Sequence, residues 1–449
     1  MVARTLALGS DVPGAVAVEF GGRAGRERVT FRVDPSHHAG ALAEAAGRKI
    51  AAAADLALRV RRPLVGIVSS SGADVFEGVA ALHGWGAAAR AMVACSGIVP
   101  VALAVTGPAV SGPALLLGLA DLVSMTGEAF AYVSGPGAVA GWTGAELTAR
   151  ELGGAGLHGR LTGVSAFTAD DEAGALAALD HALAYLPDHA DEEPPAWPHD
   201  DDPHRPTPEL RELLPASPNG SYDVRAVIAA IADHGELCEL RARWAPNIVT
   251  AFATVDGRPV GVVANQPQAV AGTLDIEASQ KAARFVSLCD SFNLPIVTIV
   301  DTGGFFPSKD LEWRGMIRHG AQLAFAYAEA TVPRVCLITR KSYGGAFIVM
   351  DCKTMGNGVC LAWPSAEVAV MGAKPAIAVL HRRADADTQA DLESAYAEEF
   401  LTPYIAAERG YIDAVIDPIE TRAAVARALS LLVAKRERLP GRAHANGPL

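Results

Sequence analysis

Two kinds of hydrophobic run alternate along this chain. Short, uninterrupted runs of Val, Leu and Ile end in clusters of small residues, and a longer Ala-rich stretch follows the first run in each half. The first half carries RPLVGIVSSSG at 62–72 and VPVALAVTGPAVSG at 99–112; the second carries LPIVTIVDTGG at 294–304 and VPRVCLITRKSYGG at 332–345. Apolar runs without polar alternation mark parallel strands covered on both faces. Helices are expected between them, the one in the second half running through Ala330. The proline before each first run is displaced by 295 − 63 = 232 positions, that before each second run by 333 − 100 = 233, and Gly112 to Gly345 also by 233. The pattern predicts an α/β protein built from a duplicated strand–helix–strand–Gly-turn–helix unit.

A stretch of different character separates the halves. DHADEEPPAWPHDDDPHRPTPELRELLP, at 188–215, has little apolar periodicity and reads as an extended, solvated linker. The expected organisation is a first domain over 14–187, a linker over 188–212 and a second domain over 213–449. His189, His199 and His204 lie in that stretch, and a charged linker accounts for them better than a metal site. Positions 95–120 carry no charged residue, yet Pro100, Pro108, Pro113 and several glycines interrupt them, so buried strands and turns explain them better than a membrane span.

Composition narrows the function. The chain has 449 residues, 50% hydrophobic and 20% charged, which excludes a mainly disordered protein. Lys+Arg 38 against Asp+Glu 50 gives a net charge of −12, so neither nucleic acid nor an anionic membrane is an expected partner. Cys95, Cys238, Cys289, Cys336, Cys352 and Cys360 form no C-x-x-C pair, which speaks against a zinc ribbon or a disulfide framework; no metal is expected, and a reducing cytoplasm fits. The N-terminal apolar run is too short for a signal peptide.

The chemistry sits in the small-residue turns. In the second half Lys341-Ser342-Tyr343-Gly344-Gly345-Ala346-Phe347 ends a strand where a helix begins. The first amides of a helix have no carbonyl partner, and glycine lets backbone approach a ligand closely. Two such N–H groups aimed at one oxygen form an oxyanion hole, which stabilises an enolate or a ureide anion without a catalytic side chain. No Ser-His-Asp grouping, phosphate loop or dinucleotide fingerprint stands at a convincing spacing.

The second half carries APNIVTAFATVDGRPVGVVANQP (245–267), LDIEASQKAARFVSLCD (274–290), RHGAQLAFAYAEATVP (318–333), ITRKSYGGAFIVM (338–350), LAWPSAEVAVMGA (361–373), PYIAAERGYIDAVIDP (403–418) and a closing KRERLP. On these strings the chain resembles the carboxyltransferase (β) subunit of biotin-dependent acyl-CoA carboxylases, the propionyl-CoA and acetyl-CoA carboxylase type. The match is looser in the first half, through SGIVP (96–100) and ELGG (151–154). The resemblance implies two tandem crotonase-like ββα-spiral domains, the first holding an acyl thioester and the second holding biotin delivered by a carrier domain. It implies a carboxyltransferase that moves CO2 from carboxybiotin to the α-carbon of a short or medium acyl thioester, on CoA or an acyl carrier protein. It further implies a partner with biotin carboxylase and biotin carrier domains, and a homo-oligomer, a hexamer in the family.

Carried over by position, the resemblance gives Gly345 and Ala346 as biotin-side amides, and Ser111 and Gly112 as the thioester-side pair. Gly72, Ala73, Gly135, Tyr343 and Gly344 are expected to line the substrate sites, and Ile348 either tunes acyl-chain choice or is an ordinary core residue. The first half departs from the family. Val110-Ser111-Gly112-Pro113 replaces a Gly-Gly-Ala turn, and Pro113 has no N–H; a Ser111/Gly112 pair keeps both donors. Asp74 stands where the family has arginine, His38-Ala39-Gly40 replaces a Phe-Gly-Gly string, and in the second half Thr302-Gly303-Gly304-Phe305 and Lys374-Pro375 are further changes. Asp301 is expected to cap a helix, Arg340 and Lys341 to face an anion, solvent or the carrier, His37 and His38 to be loop residues, and Cys352 and Cys360 to be buried thiols. Two alternatives stand beside carboxylation: a decarboxylase of a malonyl-type or β-keto thioester, and a non-catalytic assembly subunit that binds the carrier.

Overall fold

The computed structural model describes residues 4–5, 15–23, 25–215, 217 and 220–448. The chain divides into two compact units. The first comprises Met1–Pro194 together with Arg241–Trp244, the second Pro195–Leu240 and Ala245–Leu449.

In the first unit the strands are β1 (Arg4–Thr5), β2 (Val16–Arg23), β3 (Arg26–Val33), β4 (Leu64–Ser70), β5 (Val101–Val110), β6 (Leu122–Thr126), β7 (Phe130–Tyr132) and β8 (Phe167–Ala169). Their order is β1-β2-β3-β4-β5-β6-β8, with β7 pairing the far end of β5. β1, β2 and β3 are antiparallel, and every later pairing is parallel. The second unit repeats this with β9 (Leu237–Leu240), β10 (Ile248–Val255), β11 (Arg258–Asn265), β12 (Ile296–Thr302), β13 (Arg334–Tyr343), β14 (Val359–Ala362), β15 (Glu367–Ala369) and β16 (Ala414–Val415).

The uninterrupted apolar runs do become parallel strands buried on both faces. β12 is buried at every position, and all of β4 except Val68 is buried. The uncharged stretch at 95–120 forms β5 and the short helix Gly112–Leu119. Among the described residues no helix is long and apolar enough to cross a membrane. Helix Glu44–Val60 buries Ala46, Ile50, Ala53, Ala54 and Ala57, the i, i+3, i+4 stripe of a helix lying on a sheet. It meets helix Val79–Cys95 where Gly47 touches Gly84: a Cβ on Gly47 would stand 2.1 Å from the Gly84 carbonyl carbon.

The duplication extends to individual dihedral angles. His38, Ala39 and Gly40 have φ of 45°, 54° and 72°; Val270, Ala271 and Gly272, each 232 positions on, have 40°, 55° and 67°. Gly40 and Gly272 lie against the carbonyls of Ser69 and Asp301, again 232 apart, with room for a Cβ at only 2.1 and 2.4 Å. The registers of β4 on β5 and of β12 on β13 both slip by two residues just before the strand end, at Val68/Ser70 and Val300/Thr302.

The proline-rich stretch is largely exposed, as expected of a solvated linker, but it is anchored at several points. Most of it belongs to the second unit. Trp197 N–H donates to Gly257 O at 2.7 Å, and Thr207 N–H to Ile419 O at 2.8 Å. The fully buried Arg422 guanidinium donates to the carbonyls of Asp202 (3.0 Å) and Asp201 (3.2 Å) and to the Asp233 carboxylate at 2.7 Å. Apolar periodicity could not show this, because the segment is held by its backbone carbonyls rather than by an apolar face. His189 bonds Arg61 at 3.1 Å and His199 lies 3.6 Å from Asp256, and no metal-holding cluster occurs among the described residues.

Asp301 caps no helix. It is buried, accepting from Arg340 Nε at 3.0 Å and Lys341 N–H at 3.1 Å; burial raises its pKa while Arg340 opposes that. Arg340 is thereby committed to structure, donating also to Gly220 O at 2.7 Å and lying 5.5 Å above the Tyr222 ring. A second buried pair joins Arg334 to Asp351 at 2.6 Å, and burial pushes the Asp351 carboxyl up to about 6.

Asp351→Ala should therefore strand a buried guanidinium and cost about 3–5 kcal/mol in urea unfolding, whereas Glu277→Ala, which breaks an exposed pair with Arg314, should cost about 1 kcal/mol or less. Gly272→Ala should cost about 2–3 kcal/mol through its close carbonyl and positive φ. Gly25→Ala, at φ 79° with nothing within 4 Å, should cost about 1 kcal/mol.

Candidate functional site

Each unit builds its site from two loops at the carboxyl ends of its central parallel strands. In the second unit β12 ends at Thr302, whose hydroxyl accepts from Gly304 N–H at 3.3 Å and turns the chain through Gly303 and Gly304. Leu274 N–H then donates to Gly304 O (3.0 Å) and Phe306 N–H to Leu274 O (2.8 Å), a bridge that leaves the Phe305 N–H out. The Phe305 ring lies 3.4 Å from where a Cβ on Gly345 would stand.

β13 ends beside β15 at Tyr343, and Gly344 takes φ 57° to start helix Gly344–Val349. Positive φ suits glycine, and a Cβ there would meet Val370 O at 3.1 Å. Gly345 and Ala346 are the second and third helical residues, so their N–H groups have no intrahelical acceptor. Tyr343 donates its hydroxyl to Glu367; burial first, and then that bond, raise its pKa. An open cleft of about 560 Å³ lies over this turn, lined by Gly303, Gly344, Gly345 and Gly372 and by Lys341 and Lys374, with no acidic side chain in its wall.

Ile348 is 41% exposed, so it is not a core residue. It borders two further clefts, one of about 440 Å³ with Phe305, Ile317 and Gly345, the other of about 480 Å³ with Phe347, Val368 and Tyr411.

The first unit repeats the framework with different donors. Ser70 Oγ accepts from Gly72 N–H at 3.2 Å, as Thr302 does for Gly304. Leu42 N–H donates to Gly72 O (2.8 Å) and Asp74 N–H to Leu42 O (3.0 Å), leaving out the Ala73 N–H. Gly72, at φ 109°, packs against the second loop: a Cβ there would stand 3.2 Å from the Ser111 Cβ. Gly135 caps helix Pro136–Thr143, and a Cβ there would stand 3.4 Å from the ring of Tyr132.

The pairing of Ser111 with Gly112 needs correction. Ser111, at φ 64°, occupies the place of Gly344, not of Gly345. Its N–H donates to Tyr132 O at 2.9 Å, an extension of the β5–β7 ladder, and is spent. Gly112 matches Gly345 and keeps a free N–H as the first residue of helix Gly112–Leu119; Pro113 matches Ala346 and has none. Ala114 N–H is spent on Ser111 O at 3.0 Å. The displacement of 233, applied to the turn residue by residue, was the signal in the sequence that gives this alignment.

Asp74 faces inward. Its carboxylate accepts from Phe76 N–H at 2.9 Å and meets His38 Nδ1 at 3.2 Å, and these bonds hold its pKa below the usual carboxylate value. The aspartate that departs from the family thus ties its own loop to His38, one of the two histidines expected as loop residues.

Comparison with known proteins identifies the family and the fold. Residues 3–447 match the carboxyl transferase domain family. The methylmalonyl-CoA decarboxylase subunit alpha of Veillonella parvula is 41% identical over 442 residues, covering 98% of this chain and 86% of that protein. The propionyl-CoA carboxylase carboxyltransferase subunit of Haloferax mediterranei is 43% identical over 432 residues, covering 95% and 84%. The crystal structure of transcarboxylase 12S, a hexamer with methylmalonyl-CoA and methylmalonic acid bound, superposes with a TM-score of 0.95 at 40% identity, covering 97% of this chain and 85% of that one. With two duplicated crotonase-like units, and helix-start amides at the matched strand ends of each, this chain belongs to the carboxyl transferase domain family.

Proposed function

We propose that the protein is the carboxyltransferase component of a biotin-dependent acyl-CoA carboxylase, with the acyl thioester on the first unit and biotin on the second. The observation that carries this reading is the pair of matched turns whose unspent amides suit an oxygen that gains negative charge. Biotin, brought by a carrier domain of a partner subunit, supplies the carboxyl group and, once relieved of it, a base for the α-proton.

The residues of the second unit fit that group. Gly345 and Ala346 offer N–H donors for a ureide oxygen, Gly344 leaves the backbone uncovered, and the wall carries lysines but no acid to repel a carboxylate. In the first unit the N–H groups of Ala73 and Gly112 hold the thioester oxygen as the α-proton leaves and charge moves onto it. Those donors are fixed by the strands behind them, so they stabilise the enolate without reorganising. Ile348 gives the clefts beside the Gly345 turn an apolar wall suited to an alkyl group. The assembly is read as a homohexamer, from its likeness to transcarboxylase 12S.

The methylmalonyl-CoA decarboxylase relatives support a second reading, in which the same enolate forms by loss of CO2 from a malonyl-type thioester. The purified chain should carboxylate propionyl-CoA only when ATP, bicarbonate and a biotinylated carrier with its carboxylase are all present, measured as fixed radiolabelled bicarbonate. Loss of CO2 from methylmalonyl-CoA by the chain alone would favour decarboxylation instead.

Ala346→Pro copies into the second unit the residue that the first unit already accommodates at the matched place. It should lower carboxyl transfer about 100- to 1000-fold by deleting one donor. Binding of acyl-CoA, followed by calorimetry, should be unchanged.

A further inference from the structure

The two turns differ in one respect that the duplication does not explain. The second unit has unspent N–H groups at Phe305, Gly345 and Ala346; the first has them only at Ala73 and Gly112, because proline occupies position 113. Beside that reduced turn lies Trp85, on helix Val79–Cys95. A Cβ on Gly112 would stand 3.0 Å from Trp85 Cε2 and Cζ2 and 3.2 Å from Nε1, so the nitrogen-bearing edge of the indole faces the Gly112 backbone. That Nε1 is buried and has no hydrogen-bond partner among the described residues. A buried N–H without an acceptor is rare in folded proteins and calls for a physical reason.

The matched position in the second unit is 85 + 232 = 317, where Ile317 stands 84% exposed at the edge of an open cleft. An indole there is not required, since Ala346 keeps its amide. In the first unit the indole fills the corresponding space and brings a donor with it. Indole can donate and cannot accept, so only an acceptor can satisfy it.

We infer that the Trp85 indole N–H replaces the backbone donor lost at Pro113, so that the thioester oxygen on the first unit is held by Ala73, Gly112 and Trp85. This rests on the reading that the first unit takes the thioester. Trp85 is then a catalytic residue of the thioester-side hole. Gly112 has a second reason to be glycine, since a Cβ would push the indole away from the turn.

The test uses the full chain and propionyl-CoA labelled with carbon-13 at the thioester carbonyl. On binding to the wild-type protein, the carbonyl stretch in isotope-edited infrared spectra should move to lower frequency. Trp85→Phe should bind the thioester with a KM within about threefold of wild type, lose much of the shift, and lose about 100-fold in kcat with the biotinylated partner present. Adding Pro113→Ala to Trp85→Phe restores a backbone donor and should recover both the shift and most of the lost kcat, which repacking alone would not produce.

If Trp85→Phe fails to fold, placing 3-benzothienylalanine at position 85 keeps the bicyclic shape and removes only the N–H, with the same outcome expected. An unchanged carbonyl band and kcat in the variant that lacks the indole N–H overturn the inference and leave the proposed function standing. Absence of a bound thioester signal in the wild-type protein overturns both.

Discussion

A strand buried on both faces must stop somewhere, and where it stops its backbone has to be satisfied or put to use. Here β5 and β13 stop the same way: one residue takes positive φ, Ser111 at 64° and Gly344 at 57°, and a helix starts at once. That reversal turns the next amides away from the sheet and leaves them without carbonyl partners. The two-residue slip in register just before the end, and the close passage of Gly40 and Gly272 under the neighbouring carbonyls, recur in both units at matched places. The site is thus a by-product of how a parallel sheet ends, and its donors are rigid because the sheet behind them is.

The duplicated frame does not impose duplicated chemistry. At the strand end the second unit keeps two glycines and an alanine, with lysines in the wall of the cleft above. The first unit carries serine at the positive-φ position and proline two residues on, and its nearby loop is tied by Asp74 to His38. Serine at φ 64° and ψ −154° sits in a backbone region otherwise kept for glycine, and the Ser111 N–H bond to Tyr132 helps to hold it there. The two units therefore offer different donor sets at matched places.

Around this frame the second unit spends charge in its interior. Asp301 with Arg340, Asp351 with Arg334, and Asp233 with Arg422 are buried pairs, each extended by backbone partners. Such pairs add little net stability, but removing one partner is costly, so they fix which segments pack where. Arg422 shows this most directly: it fastens the acidic, proline-rich stretch after residue 195 by donating to the carbonyls of Asp201 and Asp202 while it pairs with Asp233.

The sequence by itself determined the α/β class, the duplication at 232 and 233 positions and the location of the turns, because these rest on uninterrupted apolar runs and on glycine and proline, which act locally. It also carried the strings that mark the family. Tertiary structure alone decided three things. Ser111 surrenders its amide to Tyr132, so the free donors lie at Ala73 and Gly112. Asp301 and Arg340 neutralise each other in the core, and the residues after 195, though largely exposed, are anchored by Arg422. An unpaired Trp85 N–H stands against Gly112. Each depends on which hydrogen-bond donors and acceptors are already taken by residues far away in the chain, and that count closes only when the chain is folded.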